Sequence, residues 1–271
     1  MAALGAAVLG AAVLAGCTGL PTTTPPTSAD TSAPTATATP DAARPTADEI
    51  RAQGVPLTAE GVTLTVMTPG ATPDAEALDD GSARLTLDVP DGSAAPALVV
   101  TLAAPSGSVF EVQVDGSVVL RAADGSFAGG LAAPTARASE GAVTAKFSAV
   151  AEDVLDLTVS SLTGDATLAA GSATLWLGAR MLDSPADWGE REGGRSLAVR
   201  PTAWARAGGL AAQEGVWAAV IAQEPEADTN GMRDQLLCHA LGAPDKESWN
   251  LEPWRPDVGS FATLAARCNP T

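Results

Sequence analysis

Lysine is nearly missing from this chain: Lys146 and Lys246 are the only two among 271 residues, and the formal net charge is −17. Affinity for nucleic acid comes largely from clustered Lys and Arg that neutralise phosphates, so this composition argues against a nucleic-acid partner. The acidity instead keeps a folded domain soluble and discourages close approach to anionic polymers. Histidine occurs once, at His239, and cysteine three times, at Cys17, Cys238 and Cys268. One imidazole and two cysteines able to pair would leave only carboxylates to complete a zinc site, so neither a metal nor a cofactor is expected. Long apolar runs are also scarce. The only extended one opens the chain, "MAALGAAVLGAAVLAGCTG", and it is too short to span a bilayer comfortably as a helix. Against these absences, a hydrophobic content of 46% excludes a wholly disordered protein, and 271 residues suffice for one large or two small domains.

The opening run has the length of a signal-peptide apolar core and ends in small residues before Cys17. Leu14, Ala15, Gly16 and Cys17 resemble a bacterial lipobox, although no Lys or Arg precedes the run. The resemblance implies residues 1–16 as a signal peptide, cleavage after Gly16, and lipid on Cys17 as an anchor in the cell membrane, with the rest of the chain extracytoplasmic. Two or three acyl chains, at about 0.8 kcal/mol per buried CH₂, hold a protein stably where one would not. An ordinary secretory signal with an incidental cysteine is the alternative. With Cys17 lipidated, Cys238 and Cys268 remain as an even pair in an oxidising compartment, where a disulfide persists. A bridge between them would close a loop of about 30 residues, stabilising by roughly 3 to 4 kcal/mol in the chain-entropy model. Two free buried thiols are the other possibility.

Residues 17–47 read as the lipidated cysteine and a tether. The stretch from 18 to 47 contains ten Thr, six Pro and almost no large apolar side chain, so it cannot bury enough surface to offset its ordering entropy. At ~3.1 Å per residue in polyproline form, it would reach about 90 Å. From about residue 60 the pattern becomes period two. Val62, Leu64 and Val66 alternate with threonines, and Leu85, Leu87 and Val89, then Leu155, Leu157 and Val159, repeat the device. In "VFEVQVDGSVVL", Asp115 and Gly116 predict a two-residue turn with positive φ angles. Seven or eight short strands separated by Gly, Pro and Asp predict an antiparallel, sandwich-like β-rich domain over residues 48–180. Its outer faces carry Ser, Thr and acids with no catalytic constellation, so it reads as scaffold.

All six Trp fall between 176 and 254, and helical spacing now appears. "LAAQEGVWAAVIAQE" places Val216, Trp217, Val220 and Ile221 along one stripe. "DTNGMRDQLLCHALG" opens on candidate N-caps and closes at Gly242, with Met232, Leu236 and His239 in one row. A last short helix, "SFATLAARC", presents Cys268. Residues 181–271 therefore predict a small α-rich domain closed by a disulfide, and the whole chain an α+β fold.

The segments "ADWGEREGGRSLAVRPTAWAR" and "MRDQLLCHALGAPDKESWNLEPWRPDVG", with a terminal "CNP", carry a specific order: Gln235, Cys238, His239, Lys246, Trp249, Asn250, Leu251, Glu252, Pro253, Arg255, Pro256, Cys268, Asn269 and Pro270. This order, over about residues 184 to 270, resembles the bacterial family known as domain of unknown function 2599. The resemblance implies a secreted or surface-attached domain and no particular activity.

Residue chemistry leaves three readings of this region. In a cell-envelope hydrolase, His239 would act as general acid or base, Glu252 or Asp234 would orient it, Arg255 or Lys246 would stabilise negative charge, and water, Ser248 or Ser260 would be the nucleophile. Asp234 sits five residues before His239, about 140° around a helix, so the two do not face the same way. In a structural reading, His239 bonds a loop carbonyl, Lys246, Glu252 and Arg255 pin the loop with ion pairs, and Asn250 satisfies stray backbone groups. In a binding reading, Trp249 and Trp254, with Arg255, Lys246 and Asn250, recognise a cell-wall glycan or a protein. A noncatalytic binding or structural module is the leading expectation, and the exposure of the two tryptophans discriminates.

Overall fold

The computed structural model describes residues 44–70, 73 and 75–271. The expected signal peptide, Cys17 and residues 17–43 of the expected tether lie outside the described residues. Residues 44–271 form one compact unit of antiparallel sheets and helices, an α+β fold.

The unit begins earlier than composition suggests. Arg44, inside the stretch read as tether, pairs with Asp156, which also accepts from Thr101 Oγ1 at 2.9 Å. Helix α1 (Ala47–Gln53) then starts at a capping box: Thr46 Oγ1 accepts from the Glu49 amide, while Glu49 accepts from the Thr46 amide at 2.8 Å. Its one buried residue, Ile50, packs with Ala103 and Val154. Arg51 pins the helix end through Asp153 at 2.6 Å and the Ala104 carbonyl at 2.9 Å.

Two sheets enclose the main core. One has five strands in the spatial order Val55–Ala59, Val62–Met67, Ala97–Ala103, Val154–Ser161 and Val143–Ala151. The other has seven, in the order Ala75–Ala77, Ala83–Val89, Gly171–Gly178, Phe127–Leu131, Val118–Arg121 and Val109–Val112, with Thr135–Ala138 paired to Gly171–Gly178 off that path. The alternating residues read from sequence (Leu64, Val66, Leu85, Leu87, Leu155, Leu157 and Val159) all face inward into one cluster. Residues 55–178 hold fourteen strands rather than seven or eight. The extra ones are short or Gly- and Ala-rich, such as Phe127–Leu131 and Thr135–Ala138, and so lack a strong alternation.

The turn after Val112 differs from the expected one. Gln113 N–H bonds the Ser117 carbonyl at 2.8 Å and Gly116 N–H bonds the Gln113 carbonyl at 3.0 Å, which makes a three-residue loop. Only Gly116 has positive φ, at 84°, so this is a type I turn followed by a glycine bulge, and Asp115 keeps ordinary geometry. The same Asp-Gly-Ser loop recurs at residues 80–82 and 124–126, with the Asp carboxylate accepting from the Ser amide and hydroxyl each time.

Two of these loops join the β-rich part to the C-terminal part. Asp80 accepts from the Trp204 amide at 2.8 Å, at the start of α2 (Ala203–Ala207). Asp115 accepts from the Leu210 amide at 2.7 Å, at the start of α3 (Gly209–Gln223). Burial pushes the Asp115 carboxyl up, but the Ser117 hydroxyl and the amides of Leu210 and Ser117 outweigh it and hold it below the usual range. Trp204 is fully buried, and its indole fills the space over Gly178, where a Cβ would come within 2.2 Å of the ring. Its Nε1 donates to the Trp176 carbonyl at 3.0 Å. Burying an aromatic of this size stabilises by on the order of 5 kcal/mol. Phe127 and Trp176 of the seven-stranded sheet pack on the second core, which contains Trp204, Val216, Leu236 and Trp249.

The C-terminal part holds an element absent from the sequence reading. Asp187–Arg191 and Gly194–Val199 form a hairpin, and Trp249–Leu251 adds a third antiparallel strand. The hairpin turn is Glu192-Gly193, with φ of 50° and 83°. Helices α4 (Asn230–Gly242) and α5 (Ser260–Ala265) complete it.

Candidate functional site

Helix α4 starts where Thr229 Oγ1 accepts from the Met232 amide at 3.3 Å. Its buried side chains are Met232, Gln235, Leu236, Cys238 and His239, so two polar groups share the inward face with aliphatic ones. Both address the strand Trp249–Leu251 and its continuation. Gln235 Oε1 accepts from the Glu252 amide at 2.8 Å, and its Nε2 donates to the Glu252 carbonyl at 3.0 Å. His239 Nε2 meets the Asn250 carbonyl at 3.1 Å. Four helix residues, about 6 Å of rise, match two strand residues, about 6.7 Å, so positions i and i+4 of the helix reach residues two apart on the strand.

The carbonyl can only accept, so His239 Nε2 carries the proton and Nδ1 is the bare nitrogen. Nδ1 is buried without a partner among the described residues. Burial is the chief cause that lowers the imidazole pKa from 6.5 to about 4; the bond to Asn250 opposes this and the Lys246 charge adds to it. At neutral pH the ring is uncharged and sealed, with only 3% of the residue exposed.

Glu252 and Arg255 form a buried ion pair, their side chains 3% and 1% exposed. The Arg255 guanidinium also donates to Glu192 of the hairpin turn at 2.8 Å and to the Pro270 carbonyl at 3.3 Å. It thus ties the turn, the loop and the chain end together. Its guanidinium carbon lies 4.4 Å from the Trp254 ring centroid, and Trp254 rests on Gly194, where a Cβ would approach its Cδ1 to 2.3 Å.

The two tryptophans part company: Trp249 is fully buried, while Trp254 is 43% exposed. A binding surface built on both is therefore closed at Trp249. Lys246 is exposed and makes no ion pair among the described residues, so it does not pin the loop as expected. Asp234 accepts from Ser260 Oγ at 2.6 Å. Asn250 contributes its carbonyl, to His239, rather than its amide. Among the described residues, no hydrogen bond joins His239 to Glu252 or Asp234, and no group of three His, Cys, Asp or Glu could hold a metal. Cys238 and Cys268 are joined by a disulfide with Cα atoms 5.4 Å apart, fastening α4 to the chain end.

Sequence reasoning left Arg206 and Glu192 without roles. Arg206 donates to the carbonyls of Pro201, Pro244, Lys246 and Glu247 and lies 5.7 Å from the Trp249 centroid. Carbonyl capture by a guanidinium leaves no mark in sequence. The adjacent Gly193-Gly194 pair, by contrast, is a turn signal that was available.

Residues 184–271 match the family described as "Protein of unknown function (DUF2599)". Uncharacterized proteins of Mycobacterium bovis and Mycobacterium tuberculosis are 46% identical over 93 residues, covering 31% of this chain and 61% of theirs. One of Mycobacterium leprae is 38% identical over 81 residues, covering 28% of this chain and 60% of its own length. The chain thus spans about three fifths of the length of the curated relatives that it matches. No solved structure matches it.

Proposed function

We propose that this is an exported bacterial lipoprotein, anchored in the cell membrane through Cys17, whose C-terminal module is a noncatalytic binding or structural unit at the cell surface. The observation that carries this reading is the sealing of His239 and Glu252. One is buried and neutral against a backbone carbonyl; the other is locked to Arg255. General acid–base work needs a group within reach of substrate and titrating near the working pH, and neither condition is met at His239. The disulfide supports an oxidising, extracytoplasmic compartment. The apolar opening run and the Leu14-Ala15-Gly16-Cys17 tetrapeptide support lipidation.

Two experiments test it. Cys17→Ala should lose lipid by mass spectrometry and move from the membrane fraction to the medium; unchanged membrane retention would remove the anchor from the proposal. Any turnover in a panel of ester, amide and glycan substrates should be indifferent to His239→Ala, measured on folded protein. A rate that collapses while the fold persists would replace this reading with the hydrolase.

A further inference from the structure

We propose that the outer face of the seven-stranded sheet carries a binding site for a small phosphate-type oxyanion, formed by Arg84, Arg137 and the hydroxyls between them. A depression of about 310 Å³ is lined by Arg84, Thr135, Ala136, Arg137, Ser172 and Thr174. Strand register builds it. On the central strand Gly171–Gly178, Thr174 stands opposite Thr135 on one side and Thr86 on the other, Ser172 stands opposite Arg137, and Trp176 opposite Arg84. The intervening Ala173 and Leu175 are fully buried in the sandwich, so alternation sends Ser172, Thr174 and Trp176 to the outer face. A line of hydroxyls therefore runs between two guanidinium-bearing side chains placed diagonally across three strands.

Arg84 is held in place before any ligand arrives. Its guanidinium carbon lies 4.9 Å from the Trp176 ring centroid, the Trp176 Nε1 donates to Ser82 Oγ at 2.8 Å, and Ser82 is fixed by the Asp80 turn. Its ion pair with Glu76 is loose, at 3.6 Å, and the carboxylate is 63% exposed. Arg137 is exposed and has no ion pair among the described residues. Asp88, on the same face, stands opposite Ser172 but does not line the depression.

Guanidinium groups only donate hydrogen bonds, and hydroxyls can turn to donate, so the lining favours a compact acceptor with several oxygens. The net charge of −17 sets the size of that acceptor. A polyanion lies along many acidic side chains at once. A small ion inside the depression is screened from acids farther than about 8 Å away at physiological ionic strength and meets the two arginines with only Glu76 and Asp88 as neighbouring acids among the described residues of these strands. The site lies outside residues 184–271, so its test is independent of the proposal for the C-terminal module.

The test is guanidine footprinting with phenylglyoxal on the full chain purified in detergent, read arginine by arginine by peptide mass spectrometry. Inorganic phosphate is compared with sodium chloride at equal ionic strength, and a sugar phosphate monoester forms a second arm. At a ligand concentration about ten times Kd, modification of Arg84 and Arg137 should slow about tenfold by mass action, while exposed Arg191 stays unchanged. Protection by the monoester alone would show that the phosphate is read on a sugar; protection by both would show that the free ion suffices. Equal modification in phosphate, monoester and chloride would overturn the proposal. In Arg137→Gln, protection of Arg84 should disappear, and its persistence would refute the two-arginine arrangement.

Discussion

Neutralising Glu252 should expose how the C-terminal module is held together. In Glu252→Gln the side chain keeps its shape and one acceptor oxygen but loses the charge facing a guanidinium that is 1% exposed. Two partners remain: the Pro270 carbonyl at 3.3 Å and the Glu192 carboxylate at 2.8 Å, which is 63% exposed and therefore screened. Breaking a buried pair costs about 3 to 5 kcal/mol, and the retained shape with the second carboxylate places this variant near 3 kcal/mol. For a unit the size of Arg44–Thr271, each kcal/mol shifts the thermal midpoint by roughly 2 to 4 °C, so calorimetry should read a fall of about 6 to 12 °C. Glu192→Gln removes only the exposed carboxylate and should cost less than about 1 kcal/mol. Replacing both partners, as Glu252→Leu with Arg255→Met, leaves no buried unpaired charge, only the exposed Glu192 carboxylate, and should be milder than Glu252→Gln alone. A Glu252→Gln midpoint within about 2 °C of the parent, or a double variant worse than the single, would refute this account of Arg255 as a buried tie needing its counter-charge.

Gln235→Leu leaves the buried Glu252 amide unpaired, while the Glu252 carbonyl keeps the Arg255 amide at 3.2 Å, and should lower stability by roughly 1 to 3 kcal/mol in urea titration; a neutral result would mean that the Glu252 amide finds another partner. His239 makes the fold acid-sensitive: its folded pKa of about 4 lies below the unfolded 6.5, so the unfolded chain gains a proton first as pH falls. The contribution is fully present above about pH 6.5 and is lost between there and about pH 4, on the order of 3 kcal/mol, and His239→Gln should flatten a urea-midpoint profile in that window. Loss of the bridge in Cys268→Ser should cost about 3 to 4 kcal/mol, and the parent's intact mass should rise by about two units on reduction. Gly178→Ala drives a methyl group against the Trp204 ring at 2.2 Å and should prevent soluble folding; a well-folded variant with an unchanged midpoint would show that Trp204 is free to move.

What the sequence made legible follows from the length and rigidity of each signal. Leu64, Leu85 and Leu155 stood on clear period-two runs and all reached the core. The stripe containing Val216, Trp217 and Val220 lies on α3 and is buried. The Cys238–Cys268 bond was readable from an even count in a chain that looked exported. The strand Trp249–Leu251 was not, because three residues are too few to show alternation and Pro253 and Pro256 crowd its end. The start of the folded unit was misplaced because Thr, Pro and Ala composition masked the Thr46-to-Glu49 capping box. The junction between the halves was illegible for a different reason. Asp115 was read as a turn residue and is one, as is Asp80, but their second carboxylate oxygens cap α2 and α3 more than ninety residues away. No local pattern records a cap supplied from so far along the chain.

The polar face of α4 has a cause that no catalytic motif supplies. Trp249–Leu251 pairs with Gly194–Val199 along one edge only, and side-chain alternation turns Trp249 and Leu251 into the core. In an antiparallel strand, backbone groups alternate between the two edges as well, so those of residues 250 and 252 address the side away from the hairpin. A helix lies on that side, and a helix has no free backbone donors along its length. An aliphatic face there would leave the Asn250 carbonyl and the Glu252 amide buried without partners, at about 1 to 3 kcal/mol each, and the Glu252 carbonyl with only the Arg255 amide at 3.2 Å. Gln235 offers a donor and an acceptor and takes both groups of Glu252; His239, one turn on, offers a single donor and takes the one remaining carbonyl. The lone histidine thus supplies the Asn250 carbonyl with a donor that the unpaired strand edge lacks, and the same burial that makes this bond dry is what drives its pKa down to about 4.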